Sequence, residues 1–247
     1  MSATPGNARR WQVLTVIALA AAWEFAGRSG LVYAGVVPPL AAIAAALVAL
    51  VSDPRFWTNL ALTGFEIAAA LLVGGSLGVA IGAALGRVRL LGAAYGPILS
   101  TLAATPKVAV LPLLYLAFGV GPASKVAVGS LAALLPMALA TAAGVGGVAP
   151  ALDRLGRNLS LSPWQMLRLI YLPAALPTLF GGLRIALGAA IAICLIAEIR
   201  FSSGGLGAML IDSFNRSRFS NVYALIVVIF ALAIAGNAGL AAVGRRR

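Results

Sequence analysis

The stretch GVAPALDRLGRNLSLSPWQMLRLIYLPAALPTLFGGLR, residues 147–184, decides the fold of this 247-residue chain. It is a moderately polar, helix-forming insert between two long apolar segments. Its charged residues Asp153, Arg154, Arg157 and Arg168 place it in water or at an interface, because a charge at mid-bilayer is costly. The pattern therefore predicts a short helix between membrane spans and outside the hydrocarbon layer.

Apolar side chains in the insert recur at helical spacing, as on one face of a helix. They are Leu152, Leu155, Leu159, Trp164, Leu167 and Ile170. A short helix between two spans must lay such a face on something. The two candidates are the lipid headgroup layer and a partner protein, and the function depends on which of them it is.

Composition makes the chain an integral membrane protein. It is 62% hydrophobic and 10% charged, whereas roughly a quarter of the residues in a soluble domain are charged. A single cysteine, Cys194, excludes a disulfide framework. The net charge of +12 comes from arginines that punctuate apolar segments and do not form one basic face. The positive-inside rule accounts for them better than nucleic-acid binding does.

The apolar segments predict an all-α membrane protein with about six transmembrane helices. The predicted spans lie at residues 11–27, 67–86, 90–120, 126–152, 185–199 and 222–243. We expect residues 1–10 to form a cytoplasmic arm and residues 11–247 to form one transmembrane domain. The distribution of arginines favours both termini, and the insert, on the cytoplasmic side.

A glycine recurs at every fourth position on one face of the second predicted span, at Gly74, Gly78, Gly82 and Gly86. In lipid, small residues at this spacing let two helix backbones approach closely. We therefore expect this face to pack against another helix.

Lys107 lies among prolines in the third predicted span, and two interpretations of it stay open. An ionisable residue inside the membrane is a candidate functional site. Alternatively, Lys107 sits at a helix break near an interface and extends its ammonium group to water.

The coupling loop, which we define as residues 147–173, resembles the cytoplasmic loop of the inner-membrane permease subunits of binding-protein-dependent ABC importers. The signature of that loop is an EAA triplet, a glycine four residues beyond its last alanine, and then I-x-L-P. Ile170, Leu172 and Pro173 match this signature, while Arg154, Leu155 and Ser160 depart from it and Gly156 keeps a small residue.

Flanking segments resemble the nitrate, sulfonate and taurine subgroup of these permeases in order and spacing, over roughly residues 55–235. They are Thr105-Pro106-Lys107-Val108-Ala109, Pro112-Leu113, Phe118-Gly119-Val120-Gly121, Ser124-Lys125-Val126, Pro173-Ala174-Ala175-Leu176-Pro177, Gly182-Leu183-Arg184, Ala197-Glu198 and Gly204-Gly205-Leu206-Gly207.

This resemblance implies a type I importer permease in a bacterial inner membrane. Such a chain is half of a two-fold dimer, docks a cytoplasmic coupling helix (here about residues 150–160) on a separate ABC ATPase, and receives its solute from an extracytoplasmic binding protein. The chain has no GxxxxGK[ST] phosphate loop, so we expect ATP and magnesium on the partner ATPase and no cofactor or metal here.

The residues expected to couple to the ATPase are Asp153, Arg154, Leu155, Gly156, Arg157, Leu159, Ser160, Leu172 and Pro173. Leu155 and Leu159 are expected to enter the ATPase groove, and Arg154 and Arg157 to pair with its acidic rim. Arg154 stands where the family has an acid. That reversal implies a compensating change in the ATPase, a second and non-identical permease, or poor coupling. A register shift that uses Asp153 instead is less favoured.

Candidates for the translocation path are Lys107, Pro112, Arg184 and Glu198. The subgroup implies a small anion, such as a sulfonate or nitrate, although the sequence does not name the solute. An ion-coupled secondary transporter is the alternative function, but intramembrane acids and an internal repeat, which would favour it, are not evident. A membrane-embedded enzyme is disfavoured because the chain has no histidine and one cysteine.

Overall fold

The computed structural model describes residues 5–30 and 36–245, and the regular structure in those residues is helical. The α-helices are α1 Pro5–Arg28, α2 Leu40–Ser52, α3 Pro54–Arg87, α4 Arg89–Ala104, α5 Leu111–Phe118, α6 Pro122–Gly146, α7 Pro150–Asn158, α8 Pro163–Met166, α9 Leu172–Phe201, α10 Leu206–Asn215 and α11 Phe219–Arg245. A 3₁₀ turn at Lys107–Val110 precedes α5, and a π-helical turn at Leu167–Tyr171 joins α8 to α9.

Four helical segments in the described residues are long and apolar enough to cross a membrane: α3, α6, Pro163–Phe201 and Phe219–Ala242. A fifth is obtained when α4 and Lys107–Phe118, which meet at a bend of 84°, are counted as one broken span. Helix α1, which the sequence predicts as the first span, is 24 residues long. Because of its charged residues it is less apolar than these four segments and is not counted with them. It begins at Pro5, so part of the predicted arm at residues 1–10 is helical; residues 1–4 lie outside the described residues.

The helix that contains the predicted span at residues 185–199 begins well before residue 185. The helix is continuous from Pro163 to Phe201, 39 residues in all. Pro173 would normally break it, because a proline lacks an N–H and its ring clashes with the carbonyl four residues earlier. The π-helical turn immediately before Pro173, in which the Leu172 N–H bonds to the Leu167 carbonyl, widens the helix and accommodates the ring.

Contacts divide the chain into two compact units, the first comprising Met1–Thr58 and Met209–Ile229. In this unit the indole N–H of Trp23 donates to the Pro38 carbonyl at 3.1 Å, and its ring meets that of Tyr223 edge-on. Glu24 accepts from the Leu40 N–H at 2.8 Å and from Arg28 at 2.6 Å. It thereby satisfies one of the free N–H groups at the start of α2.

The second unit, Asn59–Ala208 with Phe230–Arg247, contains α6 packed between α3 and α9. The glycine seam of α3 (Gly74, Gly78, Gly82 and Gly86) lies directly on the backbone of α6. A Cβ on Gly78, for example, would stand 2.5 Å from the Leu134 carbonyl oxygen. On its other face, α6 approaches α9 equally closely through small residues. Gly144 of α6 lies against Ala175 and Thr178 of α9. The predicted glycine face thus meets a helix, as small residues in membrane proteins typically do.

Candidate functional site

Helix α7 carries an apolar face that the chain leaves uncovered. Pro150 begins the helix in the position that a proline favours, because its missing N–H would have no partner there. Leu152, Leu155 and Leu159 share one face, and Leu155 and Leu159 are 52% and 63% exposed. Three exposed leucines on a nine-residue helix form a surface suited to a groove in another protein or to a lipid interface.

Gly156 lies on the inward side of α7, about 100° around the helix from Leu155, and is buried. A Cβ there would overlap the sulfur of Met166 and stand 2.6 Å from Cδ1 of Ile170. This position corresponds to the last residue of the signature triplet. A larger residue here would require the ends of the Met166 and Ile170 side chains to shift, because the coupling loop folds back tightly on itself at this point.

Ser160 ends α7 in a left-handed backbone conformation, with φ of 53°. The Leu161 N–H bonds to the Gly156 carbonyl at 3.0 Å, and the Ser160 N–H bonds to the Arg157 carbonyl at 2.9 Å. These two bonds form a Schellman motif, whose left-handed residue is usually glycine. Ser160 is the position at which the family signature has its glycine, so the geometry explains the signature, and the serine carries backbone strain.

The chain then turns into the long helix that contains Leu172 and Pro173. Ser162 and Gln165 form a capping box at the start of α8: the Gln165 N–H donates to Ser162 Oγ, and the Ser162 N–H donates to Gln165 Oε1. Such reciprocal bonds satisfy two orphan donors. Leu172 and Pro173 begin α9 immediately after the π-helical turn, so motion of the coupling loop is connected directly to a membrane-length helix.

Asp153 points into its own chain. Tyr171 donates its hydroxyl to Asp153 Oδ1 at 2.5 Å, and Arg157 Nε donates to Oδ2 at 2.9 Å. Arg87, at the end of α3, lies 4.0 Å from Oδ1 and stacks over the Tyr171 ring at 4.6 Å. Asp153 therefore connects α7 to the end of α3 and to the turn before α9.

The hydrogen bond from Tyr171, followed by that from Arg157, lowers the pKa of Asp153 below its ordinary value. The folded state thus favours the carboxylate. The network contributes stability above the pKa of an unfolded aspartate and loses it as the pH falls through the lowered value.

The two arginines predicted to meet the ATPase differ in their surroundings. Arg157 pairs with Asp153. Arg154 is exposed and forms no ion pair within the part of the chain that the structure describes. Arg154 is therefore the cation of α7 that is free to meet an external acidic group.

A cleft of about 600 Å³ lies along α4, α6 and α9. Its walls are formed mainly by small and aliphatic side chains, and Lys107 supplies the charge. The ammonium group of Lys107 donates to the carbonyls of Ala103 at 2.5 Å and Thr105 at 3.1 Å. These carbonyls belong to the end of α4, where a cation is favoured. Both interpretations of Lys107 thus have a geometric basis: it caps a helix break, and it faces a cleft.

The other three path candidates lie apart from this cleft. Arg184 lines a second cleft of about 460 Å³ with Pro173, Pro177 and Phe180. Pro112 is exposed in the first turn of α5. Glu198 lines neither cleft, because its side chain is fully buried.

The structure reveals a buried charge cluster that the sequence did not predict: Glu66 of α3, Lys125 of α6 and Glu198 of α9. Lys125 Nζ lies 3.2 Å from Glu66 Oε1, and all three side chains are at most 2% exposed. The available signal was the position of each charge beside an apolar run. Nothing local, however, indicates that residues so distant in the sequence meet.

The fold is a helical membrane unit in which an amphipathic helix between two spans is left uncovered. These features are typical of a membrane subunit that binds a partner protein. The chain belongs to the family of binding-protein-dependent transport system inner membrane components, which it matches over residues 74–247. It is a permease subunit of an ABC importer and not an enzyme. Membership implies an ABC ATPase and a solute-binding protein as partners.

Three relatives illustrate the similarity. The putative aliphatic sulfonates transport permease protein SsuC of Bacillus subtilis is 31% identical over 91% of this chain and 82% of its own length. The taurine transport system permease protein TauC of Escherichia coli is 33% identical over 78% of this chain and 70% of its own length. The nitrate import permease protein NrtB of Synechococcus elongatus is 28% identical over 69% of this chain and 61% of its own length.

Proposed function

We propose that this permease subunit couples to its ATPase through α7, with Leu155 and Leu159 inserted in a groove of the ATPase. The observation that carries this proposal is the uncovered apolar face of a helix whose inward side is already packed. Leu155 and Leu159 are exposed, whereas Gly156 between them is buried against Met166. A partner groove would remove these leucines from water, as in other helix-in-groove complexes.

The remaining coupling residues have different roles in this proposal. Arg154 meets the acidic rim of the groove, which compensates for the charge reversed relative to the family signature. Asp153 connects α7 to Arg87 at the end of α3 and to Tyr171 in the turn before α9. A displacement of the docked helix is therefore transmitted to both α3 and α9. Ser160, Leu172 and Pro173 shape the connection from α7 to the long helix.

The assembly that follows is a dimer of permeases, either two copies of this chain or this chain with a related one, on a pair of ATPase subunits. Both termini and α7 face the cytoplasm, as the arginine distribution favours. ATP and magnesium bind the ATPase subunits, and the solute-binding protein docks on the opposite side. ATP binding closes the ATPase pair, and the docked helices convert that closure into alternating access.

The transported solute is a small anion. The named relatives carry aliphatic sulfonates, taurine or nitrate, which share negatively charged oxygens. Lys107 places a cation on the wall of the largely apolar cleft between α4, α6 and α9. In such a low-dielectric wall, a single ammonium group attracts an anion more strongly than it would in water.

The test is recovery of the ATPase in mild detergent with tagged protein from its native membrane. We compare the wild type with Leu155→Asp plus Leu159→Asp, which places two charges in the proposed groove. The matched control is Leu155→Met plus Leu159→Met, which conserves volume and apolarity. The wild type and the methionine control should retain the ATPase, and the aspartate variant should lose it.

Equal recovery of the ATPase with the aspartate variant would show that α7 is not the docking element. The mass of the recovered wild-type complex also reports whether its two permeases are identical.

A further inference from the structure

The buried charge cluster of Glu66, Lys125 and Glu198 has no part in docking or in either cleft. Its three side chains are 0%, 2% and 0% exposed. It joins α3, the first turn of α6 and the last turn of α9. Two carboxyl groups and one ammonium group share this site, so its protonation state determines whether the helices enclose a net charge.

The hydrogen-bond donors around Glu198 favour its ionised form. Its Oε1 accepts from the Thr63 hydroxyl, and its Oε2 accepts from the Gly207 N–H, each at 2.6 Å. The backbone wraps closely around this group: Gly205 has φ of 98°, and a Cβ on it would overlap the carboxyl. Gly207 lies in the first turn of α10, where the free N–H groups favour negative charge. Charge-assisted bonds of this kind stabilise the ionised form.

Lys125 supplies the one positive charge of the cluster, and its Nζ lies 3.2 Å from Glu66 Oε1. Its ammonium group donates to Ser202 Oγ at 2.6 Å, and Ser202 in turn bonds to the Gly204 carbonyl at 2.5 Å. The network therefore positions Lys125 in the loop that encloses Glu198. One ammonium group neutralises one carboxylate, so a second carboxylate would leave the cluster negative.

Glu66 has fewer hydrogen-bond partners than Glu198. Both of its carboxyl oxygens are buried and lack a hydrogen bond of good geometry within the described residues, although Lys125 Nζ is 3.2 Å from Oε1. Burying an ionised carboxylate without hydrogen bonds costs several kcal/mol, and neutralisation by a proton avoids that cost.

We propose that Glu66 is a proton-binding site and that its carboxyl is neutral at neutral pH. The other ionisable groups that face Glu66 are Tyr115 of α5 and Cys194 of α9. Tyr115 donates to the Ala197 carbonyl at 2.7 Å, and the Cys194 thiol faces the Lys125 carbonyl. Neither supplies a second cation, so the proton completes the charge balance.

The proton holds three helices in a neutral contact. Its removal leaves an uncompensated negative charge between α3, α6 and α9. Because the folded state binds this proton and an unfolded glutamate near neutral pH does not, stability falls as the pH rises. This inference depends on the fold of the chain and is independent of which ATPase or solute it uses.

Infrared spectroscopy of the full-length chain, in a detergent that contains no carbonyl group, tests the proposal. A protonated carboxylic acid has a carbonyl stretching band separate from the carboxylate bands. The chain has six acidic residues, and the four outside the cluster are partly exposed. The band therefore reports on a buried acid, because an exposed carboxylic acid is generally ionised at neutral pH. We expect the band in the wild type and in the control Glu24→Gln, and its loss in Glu66→Gln.

Thermal unfolding provides the second measurement. Glu66→Gln replaces the neutral acid by a neutral amide of the same shape, so its Tm at neutral pH should stay within a few degrees of the wild type. Its Tm should also lose the decline with rising pH. Glu198→Gln, which removes the carboxylate that Thr63 and Gly207 recognise, should lower the Tm clearly.

Either of two outcomes would overturn the proposal. Absence of the band in the wild type means that both acids are ionised, and this result needs no variant to fold. Persistence of the band in Glu66→Gln means that Glu198 carries the proton. Retention of the ATPase by the aspartate variant would overturn the docking proposal and leave the infrared spectra unchanged, so failure of the two proposals can be distinguished.

Discussion

Ser160 and Gly156 occupy the two backbone positions of the coupling loop where a side chain is least tolerated. At Gly156 the constraint is steric, because Met166 and Ile170 fill the space. At Ser160 the constraint is conformational, because the residue that follows the end of α7 is left-handed. The chain satisfies the first constraint with glycine and violates the second, so the two departures from the family signature have different consequences.

Ser160→Gly should stabilise the protein. A left-handed conformation costs a non-glycine residue about 1–2 kcal/mol, and the substitution removes this cost. Glycine also has greater freedom in the unfolded chain, which lowers the stability by about 0.5–1 kcal/mol. The expected net gain in the free energy of unfolding is about 0.5–1 kcal/mol, measurable as a rise in Tm in detergent. Ser160→Ala keeps the Cβ and is the control: a rise in its Tm equal to that of Ser160→Gly would contradict the assignment of strain.

Some properties of single residues in the coupling loop can be predicted from the sequence pattern, and others cannot. The exposure of Leu155 and Leu159 follows from helical spacing alone, and the structure places both on the surface. The partners of Asp153 do not follow from it. Tyr171 and Arg87 are brought to this carboxylate by the return of the chain, and no local pattern encodes that meeting.

Helices α3 and α6 approach each other along the glycine seam because α3 presents no side chain there. The seam replaces side-chain interdigitation with backbone contact, which maximises dispersion between helices in lipid. Its consequence is that a side chain added on the seam would meet the α6 backbone directly.

Gly78→Ala should destabilise the protein by about 1–3 kcal/mol, as overpacking of a close-packed contact does. The added Cβ would stand 2.5 Å from the Leu134 carbonyl oxygen and 2.7 Å from the Cβ of Met137. Gly75→Ala is the matched control in the same helix, because no heavy atom lies within 4 Å of its Cβ position. A thermal scan of both variants checks this: equal Tm values would mean that the seam does not limit the helix contact.

The boundaries of the long helix show why element ends were harder to predict than element types. The sequence pattern placed this span at residues 185–199, and the structure instead continues the helix from Pro163 to Phe201. At Pro173 the helix continues because the preceding turn widens. The π-helical turn at Leu167–Tyr171 provides that widening, and it is stabilised by contacts formed only in the folded loop.

Transport is a property of the whole assembly, in which α7 and the cleft that Lys107 faces are separate parts of one permease. The long helix connects them, since α9 begins beside α7 and its residues Gly182, Ile185 and Ala189 line the cleft. Under the proposed roles of α7 and this cleft, we expect mutations in one to leave the function of the other unchanged.

Lys107→Met should reduce binding-protein-dependent uptake of the anionic solute by about tenfold, the loss expected for one charge-assisted contact. Recovery of the ATPase should be unchanged. Uptake of labelled taurine, an alkanesulfonate or nitrate by whole cells measures the effect, and Lys107→Arg, which keeps the charge, should retain most of the uptake. Undiminished uptake by Lys107→Met would restrict Lys107 to capping α4, and uptake of an uncharged solute such as riboflavin in place of these anions would overturn the solute class.

The sequence by itself determined that this is a helical membrane protein with an amphipathic helix between spans, because hydropathy, charge and helical spacing act over a few neighbouring residues. It also carried the family resemblance, which the match over residues 74–247 confirms. Only the tertiary structure decided that α6 receives the glycine seam, that Asp153 faces its own chain, and that Glu66, Lys125 and Glu198 meet out of contact with solvent. These contacts join residues far apart along the chain, and the packing of whole helices against one another brings them together.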